Sequence, residues 1–317
     1  MDPKLKLTYA MCSYNRADRL RKLVDAIREQ ECPIPYEILV VNNNSTDHTE
    51  LELAELSTNP GATLRWVTET EQGIVAARNR CLIEAMTSDI MVFIDDDEIP
   101  LPGLLYAATD AICNEGAQVA GGKVVVDFTG QRRPKWLGDE LLGFLAATDY
   151  GEAPFWVTSK DTPLWTANIA YDMKIFRENP DLRFDKRYDR QGKAIGGGED
   201  VMMFGLLLNS AMKIRYRPDM TVLHSVEPWR LKPSYFLKLH FSSGFRSAYN
   251  CGIKYKRNFF GVPLFLFSQA LKLFFLWLTL ALKNQKLELR KCMNFTHALG
   301  QICGYFSRWK ENPDYRI

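Results

Sequence analysis

Asp89-Ile90-Met91-Val92-Phe93-Ile94-Asp95-Asp96-Asp97-Glu98-Ile99-Pro100 runs from five apolar residues rich in β-formers straight into four acids, with no turn residue between them. The apolar run reads as a buried strand. Adjacent carboxylates at the end of such a strand repel one another, so each tends to hold a proton unless a cation is present. A divalent metal relieves that repulsion, and hard oxygen ligands suit Mg²⁺ or Mn²⁺. A solvated acidic turn is the alternative, since charge runs commonly face water.

Upstream, three strands precede this one. Leu5–Met11, Glu37–Val41 and Thr63–Thr68 read as strands, separated by a helix with apolar positions Leu20, Leu23, Val24 and Ile27, and by a second helix ending at Leu56. Gly73 opens a third helix, Ile74–Met86, and another is expected over Gly103–Glu115. Strands alternating with helices at this spacing predict a mainly parallel α/β sheet between helical layers. Ligands on such sheets sit beyond the carboxyl ends of the strands. Ser13-Tyr14, Asn42-Asn43-Asn44 and Asp95-Asp96-Asp97 all occupy that position, so the three turns are expected to line one crevice.

Downstream, Gln118–Val126 reads as a strand, and the segment from Asp127 to Lys160 becomes irregular and aromatic, with Trp136, Phe144, Tyr150, Phe155 and Trp156. Aromatic faces suit sugar rings, and they equally suit a core. Gly196-Gly197-Gly198-Glu199-Asp200 precedes a helix, Val201–Asn209, whose apolar content predicts burial. The glycines let a backbone approach a ligand, and the helix dipole holds an acidic pair ionised. Glu199 and Asp200 could also be plain caps. Lys213–Arg217 and Thr221–His224 read as closing strands, and His224 as either a core histidine or a ligand.

The net charge of +2 conceals a polarity. Leu231–Lys310 holds thirteen Lys or Arg against one acid, Glu288, so this segment carries +12 and the rest of the chain −10. Within it, Phe259–Leu282 is long and apolar, close to the ~20 residues of a membrane span, but is interrupted by Pro263, Gln269 and Lys272. Flanking Lys254, Lys256, Arg257, Lys283, Lys286, Arg290 and Lys291 suit an interfacial helix on an anionic leaflet. A helical hairpin or a dimer interface is the alternative. No nucleic-acid-binding motif accompanies these residues, so no nucleic-acid partner is expected. Seven cysteines form no CxxC pair and are odd in number, which disfavours a disulfide framework or a zinc site. With no apolar leader at Met1–Lys6, the expected location is the cytoplasm, at the inner face of the cell membrane.

Taken in order, Cys12–Leu20, Glu37–Thr49, Gly73–Arg80, Phe93–Pro100, Asn168–Phe176 and Gly196–Asp200 resemble the family 2 glycosyltransferases of the GT-A fold. The resemblance covers about Leu5–Arg230. The remainder is similar, more loosely, to extensions of bacterial exopolysaccharide and lipopolysaccharide glycosyltransferases. It implies a GT-A domain over 1–230, with a nucleotide-binding half at 1–126 and an acceptor-binding half at 127–230. Residues 231–317 would form a helical extension that meets the membrane or another copy of the chain.

It further implies that Ser13, Tyr14 and Arg16 border the nucleotide of a sugar donor, with Asn42 at the base, Asn44 beside it and Arg78 near the nucleoside or phosphates. Asp97 would hold the divalent metal, with His224 as a further contact, while Asp95 meets the ribose or a metal-bound water and Asp96 borders the same site. Asp200, or failing that Glu199, would be the catalytic base, and Glu98 would be merely solvated. Many relatives carry Asp where this chain has Asn42, which leaves a UDP-linked donor favoured and another base credible. The implied activity is metal-dependent, inverting transfer of a sugar to a glycan or lipid-linked glycan in surface polysaccharide synthesis. A sugar nucleotidyltransferase and a non-catalytic carbohydrate-binding scaffold at the membrane are the competing readings.

Overall fold

The computed structural model describes residues 4–189, 197–250, 253–283 and 288–312; Gly196, Cys251 and Lys286 lie outside the described residues. The first half of the chain folds as β1 (Leu7–Ser13), α1 (Ala17–Arg28), β2 (Tyr36–Asn42), α2 (Thr49–Ser57), β3 (Leu64–Thr68), α3 (Ile74–Glu84) and β4 (Ile90–Asp95). It continues with β5 (Glu98–Pro100), α4 (Leu104–Cys113), β6 (Val119–Asp127), β7 (Phe155–Val157), β8 (Asn168–Asp172), α5 (Lys174–Glu178), α6 (Glu199–Asn209) and β9 (Ile214–Ser225).

All nine strands join one sheet, in the order β3-β2-β1-β4-β8-β6-β9-β5, with β7 paired to β9. The sheet is parallel through β3-β2-β1-β4 and between β6 and β9, and antiparallel where β8, β5 and β7 join it. Period-2 alternation sends Tyr9 and Met11 into one core with Leu20, Leu23, Val24 and Ile27 of α1 and Leu104 of α4. Ala10, Leu39 and Phe93 enter the opposite core with Val75 and Leu82 of α3 and Phe204 of α6. The sheet therefore lies between two helical layers, as expected for α/β architecture.

Three local expectations are corrected. The two closing strands are one, β9, and a register shift opposite Gly122 and Lys123 absorbs the break near Pro218. Helix α6 is buried on one face only: Met203, Phe204 and Leu207 are covered, while Val201 is 57% exposed. The aromatic segment is not wholly irregular. It contains a 3₁₀ turn at Asp139–Leu145 and the strand β7, and Tyr150 and Phe155 pack on Tyr216 with ring centroids 5.3 and 5.0 Å away.

By chain contacts the protein divides into two compact units. The first comprises Met1–Arg132, Asp139–Gly192 and Glu199–Val226, and holds the sheet. The second comprises Arg133–Gly138, Lys193–Gly198 and Glu227–Ile317, and is mainly helical: α7 (Pro233–Asn250), a short hairpin of β10 (Asn258–Phe259) and β11 (Val262–Pro263), α8 (Leu264–Leu282) and α9 (Glu288–Glu311). Backbones of α7 and α9 touch through glycines. A Cβ placed on Gly300 would lie 2.1 Å from the Phe241 carbonyl oxygen, and one on Gly244 would lie 2.1 Å from that of His297. Small residues permit this approach, a device shared with helices packed in membranes.

The apolar run begins its helix at Leu264 rather than Phe259, because Asn258–Pro263 forms the hairpin. Helix α8 is long and apolar enough to cross a membrane, with mean hydropathy 1.8, and only 11% of its most apolar window is buried. Leu264, Phe265, Phe267, Leu271 and Phe275 are exposed, while Trp277 stacks on Phe295 of α9.

Candidate active site

Because β1 lies between β2 and β4 and runs parallel to both, three neighbouring strands end together. Ser13 stands opposite Asn42, and Cys12 opposite Asp95. The turns after β1 and β2 are stapled by Asn15, whose left-handed backbone (φ 54°) lets its Oδ1 accept the Thr46 N–H at 2.7 Å. Asn43 Oδ1 accepts the Gly73 N–H at 2.9 Å, and its amide donates to the Glu71 carbonyl at 2.7 Å, tying the second turn to the start of α3. Gly73 (φ 147°) faces the Asp189 carboxylate, which accepts the Val75 N–H at 3.0 Å and caps the helix.

Several predicted nucleotide contacts are placed by these turns. Tyr14 is exposed, Arg16 is half-buried, and Asn44 is exposed with a left-handed backbone (φ 56°). Ser13 is buried and its hydroxyl faces Asp96. Asn42 is also buried, and its Oδ1 accepts the Ser45 N–H at 3.1 Å, so this oxygen already serves its own turn.

Arg78, on α3, is 4% exposed and stands at the centre of three carboxylates. One guanidinium nitrogen reaches Glu199 at 2.8 Å and Asp200 at 2.5 Å, and the other reaches Asp95 at 3.1 Å. A single cation thus joins the acidic turn after β4 to the first residues of α6. Glu199 is buried, whereas the Asp200 side chain is 25% exposed and can meet a ligand. Its Oδ1 also accepts a hydrogen bond from Thr166, a residue the sequence reading did not single out. Burial pushes the Asp200 carboxyl up to about 6, against the downward pull of Arg78 and Thr166.

In the acidic turn, burial and then the adjacent Asp97 push Asp96 up to about 7, while Ser13 and Arg16 pull it down. Glu98 corrects the sequence reading outright. It is 1% exposed rather than solvated, because β5 pairs antiparallel with β9 and sets Glu98 opposite His224. Glu98 accepts the Asp95 N–H at 3.0 Å, and burial with Asp95 and Asp97 nearby holds its carboxyl well above the ordinary range.

His224 is buried, with Nδ1 3.3 Å from Asp97 Oδ1 and 3.6 Å from Glu98 Oε1. A carboxylate oxygen and an imidazole nitrogen this close can face one cation, and the pair suits Mn²⁺. Among the described residues no group of three or more His, Cys, Asp or Glu side chains forms a ready-made cage. An ion bound through one or two protein ligands together with substrate phosphates needs none. Asp97 and His224, beside carboxyls raised by burial and by their acidic neighbours, therefore fit a divalent ion.

Comparison with known proteins agrees with this architecture. The model of "Glycosyl transferase family 2" matches residues 8–179, more than half of the chain, and the chain belongs to that family. It is 33% identical over 112 residues to the glycosyltransferase AglE of Haloferax volcanii; the match covers 35% of this chain and 36% of that relative. Among solved structures, the mannosyltransferase PcManGT from Pyrobaculum calidifontis, in complex with GDP-Man and Mn²⁺, is similar over 80% of this chain and 67% of its own, at 19% identity and TM-score 0.54. TarS 1-349 of S. aureus, in complex with UDP-GlcNAc, is similar over 78% and 68%, at 20% identity and TM-score 0.55. The fold is that of the GT-A glycosyltransferases.

Proposed function

We propose that the chain is a metal-dependent, inverting glycosyltransferase that moves a sugar from a UDP-linked donor to a hydroxyl of a glycan or lipid-linked glycan in surface polysaccharide synthesis. The observation that carries this reading is the Arg78 junction, which holds Asp95 of the acidic turn and Asp200 of α6 on one guanidinium. Asp97 and His224 would hold a divalent Mg²⁺ or Mn²⁺ ion, which supplies Lewis acidity to the departing diphosphate. Ser13, Tyr14, Arg16, Asn42 and Asn44 border the nucleotide, and Asp95 and Asp96 complete that wall. Asp200 takes the proton of the acceptor hydroxyl, a contribution of about 10²–10⁴-fold. Its carboxyl, raised to about 6, is ionised at neutral pH and still basic enough to accept a proton. Attack from the face opposite the nucleotide inverts the anomeric carbon. Glu199, buried against Arg78, serves as a structural counter-ion.

Residues 1–230 carry the transfer under this reading, and 231–317 bring it to the cytoplasmic face of the membrane. The exposed apolar side chains of α8 and the basic residues flanking it support that assignment. Flotation with vesicles containing anionic lipid is the check. Recovery of all protein in the lipid-free fraction at low salt, with a concentration-dependent dimer, would assign α8 to self-association instead.

The function itself is tested with a panel of UDP- and GDP-linked sugars. Expected are protection against thermal unfolding that requires Mn²⁺ or Mg²⁺, and slow metal-dependent hydrolysis of one donor without acceptor. Protection by every sugar nucleotide with no turnover would assign the chain to a binding scaffold, and formation of a sugar nucleotide from a nucleoside triphosphate would assign it to the nucleotidyltransferases.

A further inference from the structure

Both donors that hold Asp200 fall on the same oxygen. Arg78 Nη1 lies 2.5 Å from Oδ1, and the Thr166 hydroxyl donates to Oδ1 as well. Among the described residues no donor falls on Oδ2, and the side chain is 25% exposed. Thr166 itself is buried and stands two residues before β8. Its turn is fixed by the Asn168 N–H on the Trp165 carbonyl at 3.0 Å, and by the Asn168 amide on the carbonyls of Lys123 and Met220 at 2.9 and 2.8 Å. Tyr171 on β8 is fully buried beside Asp200, and burial keeps its phenol protonated.

We infer that Thr166, together with Arg78, is a positioning residue that anchors Oδ1 of Asp200 and leaves Oδ2 as the oxygen that takes the acceptor proton; this rests on Asp200 being the base. In the step so defined, the acceptor O–H bond breaks and its electron pair forms the new bond to the anomeric carbon. The bond from that carbon to the diphosphate oxygen breaks with its pair leaving on the nucleotide, and the proton ends on Oδ2. Two donors on one oxygen lock the carboxylate plane, which a single guanidinium contact would leave free to rotate. Misplacing a reacting group by about 1 Å can cost ~10²-fold, so the hydroxyl acts on turnover more than on donor binding. The groups facing Asp200 are Arg78 from α3, Glu199 from α6, Asp95 from β4, Tyr171 from β8 and Thr166 itself. Of these, Thr166 is the neutral group that hydrogen-bonds Asp200, and it can be removed without altering the charge.

The test uses the full chain, Mn²⁺ and the fastest-hydrolysed donor from UDP- and GDP-linked glucose, mannose and N-acetylglucosamine, with water as acceptor. Thr166→Val is expected to lower kcat about 10²-fold with the donor KM unchanged. It should also move the acidic limb of the kcat profile to higher pH, because the ionised form of Asp200 loses a hydrogen bond. Thr166→Ser keeps the hydroxyl and is expected to restore both. Thr166→Ala carries the same expectation as Val should Val fail to fold. Wild-type kcat and pH limb in the folded Val or Ala variant overturn the inference, as does a Ser variant no better than Val. Asp200→Asn in the same assay separates the two layers: if it stays active, the base assignment fails, and if it is dead while Thr166→Val is normal, only the positioning role fails.

Discussion

Two acidic groups face this site, and they are balanced differently. The four acids at Asp95–Glu98 crowd one turn, and their positive neighbours, Arg78 at Asp95 and Arg16 toward Asp96, leave Asp96 up at about 7 and Glu98 well above the ordinary range. The pair Glu199–Asp200 sits at a helix start with Arg78 bonded to both carboxylates, at 2.8 and 2.5 Å. Burial raises carboxyls in both groups, and under the proposed function the first would bind a cation while the second would handle the acceptor proton.

The largest effect that would test this contrast is on turnover. Asp200→Asn should lower transfer by about 10²–10⁴-fold while leaving protection by nucleotide sugar and Mn²⁺ nearly intact. An Asn variant with most of its transfer rate would move the base to Glu199. Removing the shared cation comes next. Arg78→Met leaves Glu199 and Asp200 without their partner, and breaking a buried pair in this way costs about 3–5 kcal/mol. The loss should shrink on acidification, when the stranded carboxylates protonate; a variant equally stable to urea at pH 5 and pH 8 would contradict the network.

The third effect concerns the turn alone. Asp96 ionises near 3.8 when unfolded and at about 7 when folded, so between these pH values the folded chain binds more protons. Metal-free stability attributable to this group should therefore fall as pH rises from about 4 to 7 and level off above. Mn²⁺ with nucleotide, at about 100 times its dissociation constant, should restore about 2.7 kcal/mol, an effect that Asp97→Asn abolishes. A Tm equally raised by Mn²⁺ in that variant would remove Asp97 from the metal site. The smallest effect belongs to Glu98, whose raised carboxyl is neutral where an exposed one would be charged. Glu98→Gln mimics that state, so it should match wild type near pH 4 and equal or exceed it at pH 7. Marked destabilisation at pH 7 would show that Glu98 acts as a charged ligand.

Much of the scaffold was readable from pattern. Unbroken apolar runs at Ile90–Ile94 and Ile38–Val41 gave buried strands, and Leu20, Leu23, Val24 and Ile27 lie at helical spacing and are all buried. The rule that ligands gather at strand ends places Ser13, Asn42 and Asp95 together, and the parallel register does the same. Glu98 was misread because it continues a run of like residues, while the two-residue alternation that buries it begins only with β5. Its partner strand, β9, lies more than 120 residues further along. Thr166 carried no signal at all. Its hydroxyl becomes meaningful because β8 brings it to Asp200, 34 residues away. Tyr150 and Phe155 were ambiguous for the same reason, and packing against Tyr216 resolved them toward the core.

By itself, the sequence determined the α/β order, the end of the sheet at which the site lies, the acids available there and the basic, apolar character of the C-terminal third. These follow from periodicity and residue type, which act between near neighbours. Tertiary structure alone decided that Arg78 serves three carboxylates, that Glu98 is buried rather than solvated, and that Arg78 and Thr166 both hold Oδ1 of Asp200. Hydrogen bonds and charge interactions act over a few ångströms through space, and burial sets their strength. Which remote side chains come within that distance is written in the packing of the sheet and not in any local stretch of chain.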